Sequence, residues 1–128
     1  VTDPDFLTTR DLLDIAAGIL PKLQVRDAGL LESASARPRI TVFGDPAYPD
    51  LCAQAAALLH SLVRNHTLVD GNKRLAWSAA RVFLLMNEVD VDYDIDEAEQ
   101  MVLRAARGED DVPVIAEWCS ARAVRRPR

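Results

Sequence analysis

A mostly α-helical single domain is the fold this sequence predicts, and three observations predict it. Two long stretches, Leu51 to Asn65 and Leu75 to Met86, are rich in Ala and Leu and contain neither Gly nor Pro. Apolar residues recur along most of the chain at helical spacing, whereas β-branched and aromatic residues gather strongly in one short run, Ile40-Thr41-Val42-Phe43. The chain has 128 residues, 49% of them hydrophobic and 27% charged, which suits one globular domain able to bury about two-thirds of its unfolded surface. We therefore expect one domain over residues 1–128, a compact bundle of about six helices with a small β-hairpin.

Each element has a local reason. Residues 1–7 read as a lead-in. Thr8-Thr9-Arg10-Asp11 forms a capping box with Asp in place of the usual Glu, and Leu12, Ile15, Ala16 and Ile19 follow on one helical face. Pro21 ends or kinks that helix. Asp27 caps a second helix through Ser35, with Leu30, Leu31 and Ala34 turned inward. Pro38 breaks it, and the run Ile40 to Phe43, closed by Gly44, predicts a strand that needs a hairpin partner. Pro49 sits well at the first position of the next helix, Asp50 to Asn65, whose apolar residues surround most of its circumference, the mark of a central helix. His60 on it reads as structural, because its six-residue separation from His66 puts the two on different faces.

Further on, Leu75, Ala79, Val82, Phe83 and Met86 form the core stripe of the following helix, with Trp77 off it. Val89-Asp90-Val91-Asp92-Tyr93 alternates apolar and acidic, a short strand or extended link whose carboxylates read as solvated. Ala98, Met101, Val102 and Ala105 mark another helix, closed by Arg107 and Gly108. Asp111-Val112-Pro113 opens the last one, and the basic tail Arg122 to Arg128 reads as a frayed, solvated end.

Composition excludes some classes. A net charge of −5 argues against autonomous binding to nucleic acid. No apolar run approaches the ~18 residues of a membrane span, and no charged and apolar leader opens the sequence, so a cytoplasmic protein is expected. Cys52 and Cys119 lie far apart without metal-ligand spacing and read as buried thiols.

The chemistry concentrates in His66-Thr67-Leu68-Val69-Asp70-Gly71-Asn72-Lys73-Arg74, a polar stretch between the two long apolar helices. His66 is suited to take a proton from a hydroxyl nucleophile. Asp70 is a hard oxygen ligand suited to Mg²⁺. Gly71 lets the backbone turn or approach a ligand closely. Asn72, Lys73 and Arg74 fall where the next helix starts, so free N–H groups, a point charge and a guanidinium fork converge on one anion site. Base, metal ligand and phosphate cradle together suggest transfer of a phosphorus-containing group to a hydroxyl.

The string H-x-x-x-D-G-N-K-R resembles the signature of the Fic/Doc superfamily, H-x-F-x-(D or A)-(G or A)-N-(G or K)-R, and in particular its Doc branch, which carries Lys between Asn and Arg. Gly29-Leu30-Leu31-Glu32-Ser33-Ala34, Ala36-Arg37-Pro38, Tyr48-Pro49-Asp50-Leu51 and Ala55 to Leu62 extend the likeness over roughly residues 8–108. Thr67 stands where Pro is common, and Leu68 where a Phe usually anchors the loop in the core. The resemblance implies a toxin of a toxin–antitoxin module: a kinase that moves the γ-phosphate of ATP, with Mg²⁺, onto a threonine of elongation factor Tu. It also implies that Ile40, Thr41, Val42 and Phe43 form a flap that binds the target as an added strand. Fic relatives transfer AMP instead, and a degenerate scaffold would act only as a binding and co-repressor module. Lys73 fills space that a Gly would leave open, a reason for ATP to lie in a different orientation, and it is the resemblance to the Doc branch that implies the kinase. The inhibitory string (S or T)-x-x-x-E-(G or N) of many Fic proteins does not occur in these residues, so inhibition is expected from a separate antitoxin.

Overall fold

The computed structural model describes residues 3–128, so the first two residues of the expected lead-in lie outside it. Helix α3, Leu51–Arg64, is the axis of the domain: ten of its 14 residues are buried, and it packs against the other long elements on most sides. Its alanines leave room for close neighbours. Ala55, Ala56 and Ala57 all lie in the core beside Leu58, Leu59 and Leu62. Asp50 starts the helix by accepting the N–H of Ala53 at 2.8 Å.

Around it stand α1 (Thr9–Ile19), α2 (Ala28–Ala36), α4 (Asn72–Met86), α5 (Ile95–Ala106) and α6 (Val112–Arg122), which makes six α-helices among the described residues. Local signals set their ends as expected. The Thr8–Asp11 capping box is closed in both directions, at 3.1 and 2.8 Å. Asp27 caps α2 through the N–H of Leu30, and α1 stops one residue before Leu20-Pro21. A 3₁₀ turn, Arg37–Arg39, leads into a minimal hairpin of β1 (Thr41–Val42) and β2 (Asp45–Pro46), with Val42 opposite Asp45. Its two turn residues, Phe43 and Gly44, have φ of 52° and 85°, the positive pair that two-residue hairpins use. No helix among the described residues is long and apolar enough to cross a membrane.

Three expectations are corrected. Val82 faces outward, and the buried side of α4 is Leu75, Ala76, Ala79, Ala80, Phe83 and Leu84. A helix of this width buries adjacent rows, and α4 packs against both α3 and α1. The C-terminal tail is not frayed throughout: Ala123–Arg125 forms β4, antiparallel to β3 (Val89–Val91), with Asp90 opposite Val124. Asp90 is not solvated. It is 3% exposed, held by Arg81 through two bonds of 3.1 Å, with Arg126 at 3.5 Å. The Arg81 bonds hold its carboxyl below the usual carboxylate range, against the opposing effect of burial. Trp77, off the core stripe of α4, meets Tyr93 and Trp118 edge-on at 4.9 and 6.1 Å and builds a second aromatic layer over α5 and α6.

Candidate active site

The polar stretch lies between the C-terminal end of α3 and the start of α4. A helix leaves its last carbonyls without partners, and the seven-residue loop from Asn65 to Gly71 must be held by something outside itself. Here the holder is the strap Gln24–Asp27, just before α2. The strap's Arg26 and Asp27 N–H groups both donate to Thr67 O (2.9 and 3.1 Å), Val69 N–H donates to Gln24 O (2.9 Å), and Val25 and Leu68 form an antiparallel bridge. The Arg26 guanidinium completes the clamp: Nε donates to His66 O at 2.7 Å and Nη2 to Asn65 O at 3.3 Å. It thus satisfies carbonyls at the negative end of α3 with a cation. His66 is held at φ 49°, a left-handed conformation uncommon outside Gly and one that persists only where the surroundings determine it.

Inside the loop, Thr67 and Leu68 are buried, at 0% and 1% exposure. Leu68 therefore anchors the loop in the core despite being smaller than Phe, and the Thr67 hydroxyl donates to Asn72 Oδ1 at 3.4 Å. The Asn72 side chain also accepts from Leu68 N–H and donates to Leu68 O, both at 3.0 Å. Its amide thus closes the loop, and what it turns to the cleft is the start of α4. Gly71 precedes that start at φ 89°, and a Cβ there would come within 2.5 Å of the Leu20 side chain. Two independent constraints, backbone and packing, call for glycine at this point. α4 begins without any side-chain cap. Its first N–H groups are therefore open to an anion.

Of the residues singled out from sequence, His66, Asp70, Gly71, Asn72, Lys73 and Arg74 line one cleft of ≈ 320 Å³, together with Val63, Val69 and Ala106. Asp70 Oδ1 accepts Gly71 N–H at 2.8 Å, which leaves the other carboxylate oxygen uncommitted. Lys73 and Arg74 are exposed, and among the described residues neither has an ion-pair partner. An imidazole, one carboxylate and two unpaired cations at an uncapped helix start can position an anionic ligand against a hydroxyl. No group of three or more His, Cys, Asp or Glu that could hold a metal occurs among the described residues. A cation here would be bound by one carboxylate, with the ligand and water supplying the rest, which is the habit of Mg²⁺.

The hairpin residues are placed elsewhere. Ile40, Val42 and Phe43 are exposed, Phe43 completely, and none of Ile40 to Phe43 lines the cleft. Thr41 borders a separate groove with Phe6, Asp50, Gln54 and Asn87. His60 stays structural: Arg37 donates to its Nδ1 at 2.8 Å, and its Nε2 lies 3.7 Å from Asp111. Burial and the nearby Arg37 charge lower its pKa. Sequence reasoning missed Arg26, whose partners lie 39 and 40 residues further on. It also missed a mainly apolar groove of ≈ 450 Å³ beside the cleft, bordered by Trp77, Tyr93, Ile95 and Val102 and sharing Lys73 and Arg74 with it.

A helical domain with this loop between its two central helices is of the Fic type, and comparison with known families agrees. The chain belongs to the Fic/DOC family, whose model matches residues 6–84. Among individual proteins it is similar to one named Toxin Doc from Mycolicibacterium smegmatis, 50% identical over an alignment of 117 positions, with 88% of each chain covered.

Proposed function

We propose that this protein is a Doc-like toxin kinase, which transfers the γ-phosphate of ATP to a threonine hydroxyl of elongation factor Tu in the cytoplasm and is neutralised by a cognate antitoxin. The observation that carries the reading is the convergence of His66, Asp70 and the open start of α4 on one cleft. The relative's name supports the toxin part. In this reading His66 accepts the proton of the attacking hydroxyl. Lys73, Arg74 and the first N–H groups of α4 hold the phosphates, and Asp70 is the residue that would hold Mg²⁺, which when bound would neutralise phosphate charge. The aromatic edge of Trp77 and Tyr93, next to Lys73 and Arg74, offers apolar surface for the rest of the nucleotide.

Lys73 favours the kinase over AMP transfer. It is the residue that the Doc branch carries between Asn and Arg, and the similarity to a protein named Toxin Doc supports the same reading. The test is to incubate the protein with Mg²⁺, elongation factor Tu and ATP labelled at either the α or the γ position. Label from γ on the acceptor is expected. Label from α would replace the kinase with an AMP transferase, and no label from folded protein would leave a binding module. Purifying the chain with the small product encoded beside it tests the antitoxin part. The pair should form a complex with transfer suppressed, and a neighbour that neither binds nor inhibits would remove the toxin–antitoxin reading.

A further inference from the structure

Cys52 and Cys119 are both free thiols, one in the first turn of α3 and the other near the end of α6. They are 67 residues apart in sequence, yet their Sγ atoms lie 2.6 Å from each other. Each is nearly enclosed, at 8% and 6% exposure, but they face different surroundings. Cys52 borders the open groove of ≈ 1060 Å³ between the N-terminal segment, the hairpin and the start of α3. Cys119 borders a small, wholly apolar hollow of ≈ 30 Å³ beside Trp77 and Trp118. A small polar oxidant arriving from solvent therefore meets Cys52 first.

We propose that this pair is an oxidation site for hydrogen peroxide: Cys52 is the sulfur oxidised first, Cys119 resolves it, and the product is an internal disulfide that clasps α3 to α6. The Cys52 thiolate attacks one peroxide oxygen, the O–O bond breaks, and hydroxide leaves and takes up a proton to become water. Cys52 is then a sulfenic acid. The Cys119 sulfur attacks the Cys52 sulfur, the S–O bond breaks, and the hydroxyl leaves as a second water with the Cys119 proton. Two thiols and one peroxide thus give one disulfide and two waters, with both sulfurs oxidised and the peroxide reduced.

The electrostatics agree with the assigned order. The hydrogen bond from Cys119, helped by one from Ser120, brings the Cys52 thiol down to about 7, whereas donating that bond and deep burial push Cys119 up. A thiol half ionised at neutral pH reacts about tenfold faster than an ordinary one, which is only a few per cent ionised. Because the sulfurs already adjoin, closure asks for no movement of α3 at its other end, where His66 lies. The site is independent of any reading of the cleft.

The full chain, reduced and freed of reductant, is treated with hydrogen peroxide and followed by intact mass and peptide mapping. The expected product is a monomer lighter by two hydrogens, with Cys52 linked to Cys119 and restored by dithiothreitol. In C119S, dimedone should capture a sulfenic acid on Cys52. In C52S, Cys119 should resist both reagents about tenfold better than Cys52 does in C119S. Thiols that survive peroxide doses sufficient to oxidise the unfolded chain would overturn the proposal. So would cross-links between two chains, or equal capture at the two cysteines. Should either variant fail to fold, the linkage map of the unaltered chain decides alone.

Discussion

Two clusters in this molecule are built from the same residue types and do opposite things. At the cleft, Asp70, Lys73 and Arg74 stand at the start of α4, exposed and without ion-pair partners among the described residues. Further along the same helix, Arg81 grips buried Asp90 with two bonds, and Arg126 reaches in from beyond β4. The second cluster is electrostatically complete, so its charges serve the fold. The first leaves cationic charge and helix-start N–H groups open to an anionic ligand. Charge in the sequence does not separate the two; partnership does.

The contrast is sharpest at His66. Its replacement by Ala should lower transfer by ~10²–10⁴ with the fold intact. Full transfer by folded H66A would remove the base assignment. Next, R74A and R81A should behave as opposites. R74A should lose ~10²–10³ in rate, because it removes a charge that stabilises the phosphates, and should keep its unfolding midpoint. R81A should keep its rate and lose about 2–3 kcal/mol of stability, since it leaves a buried carboxylate with only Arg126 nearby. If both variants lose the same property, the division between the clusters is wrong.

R26A should slow transfer roughly 10–100-fold through a misplaced His66. Its nucleotide affinity should change little, and R26K should recover only part of the rate, because a single ammonium cannot reproduce the two-carbonyl fork. Kinetics at saturating ATP separate this from a general loss of folding. The smallest expected effect is in pH. The Asp90 pKa is depressed in the folded state, so its contribution is complete above the ordinary Asp value of ~3.9 and is lost as pH falls through the lower folded value. D90N should flatten that acid limb of the stability profile, and an unchanged limb would mean that other carboxylates govern it.

Much of this was readable along the chain because its causes are local. The Thr8 capping box, the Asp27 cap and the all-round apolar character of α3 each need only a few neighbouring residues. So does the cleft from His66 to Arg74, where one loop and one helix start carry all six residues singled out. What escaped was non-local. Asp90 looks solvated until β4 pairs with β3 and brings Arg126 over it. Arg26 looks like any surface cation until the strap meets the loop. Asn72 reads as a phosphate ligand by position, and only the three-dimensional loop shows its amide closing on Leu68.

The bridge between Val25 and Leu68 also fixes when the cleft can exist. As the chain leaves the ribosome, the strap is made well before the loop it holds, and α3 must be laid down between them. The loop therefore cannot take its shape by itself. It closes only when two segments about forty residues apart have met, an event with a larger entropic cost than winding either helix. A growing or partly opened chain would have helices but no organised cleft. Amide exchange should report this directly: the N–H groups of Arg26, Asp27 and Val69, which lie in three bonds of one small ladder, should become labelled at a common rate and lose protection together in R26A.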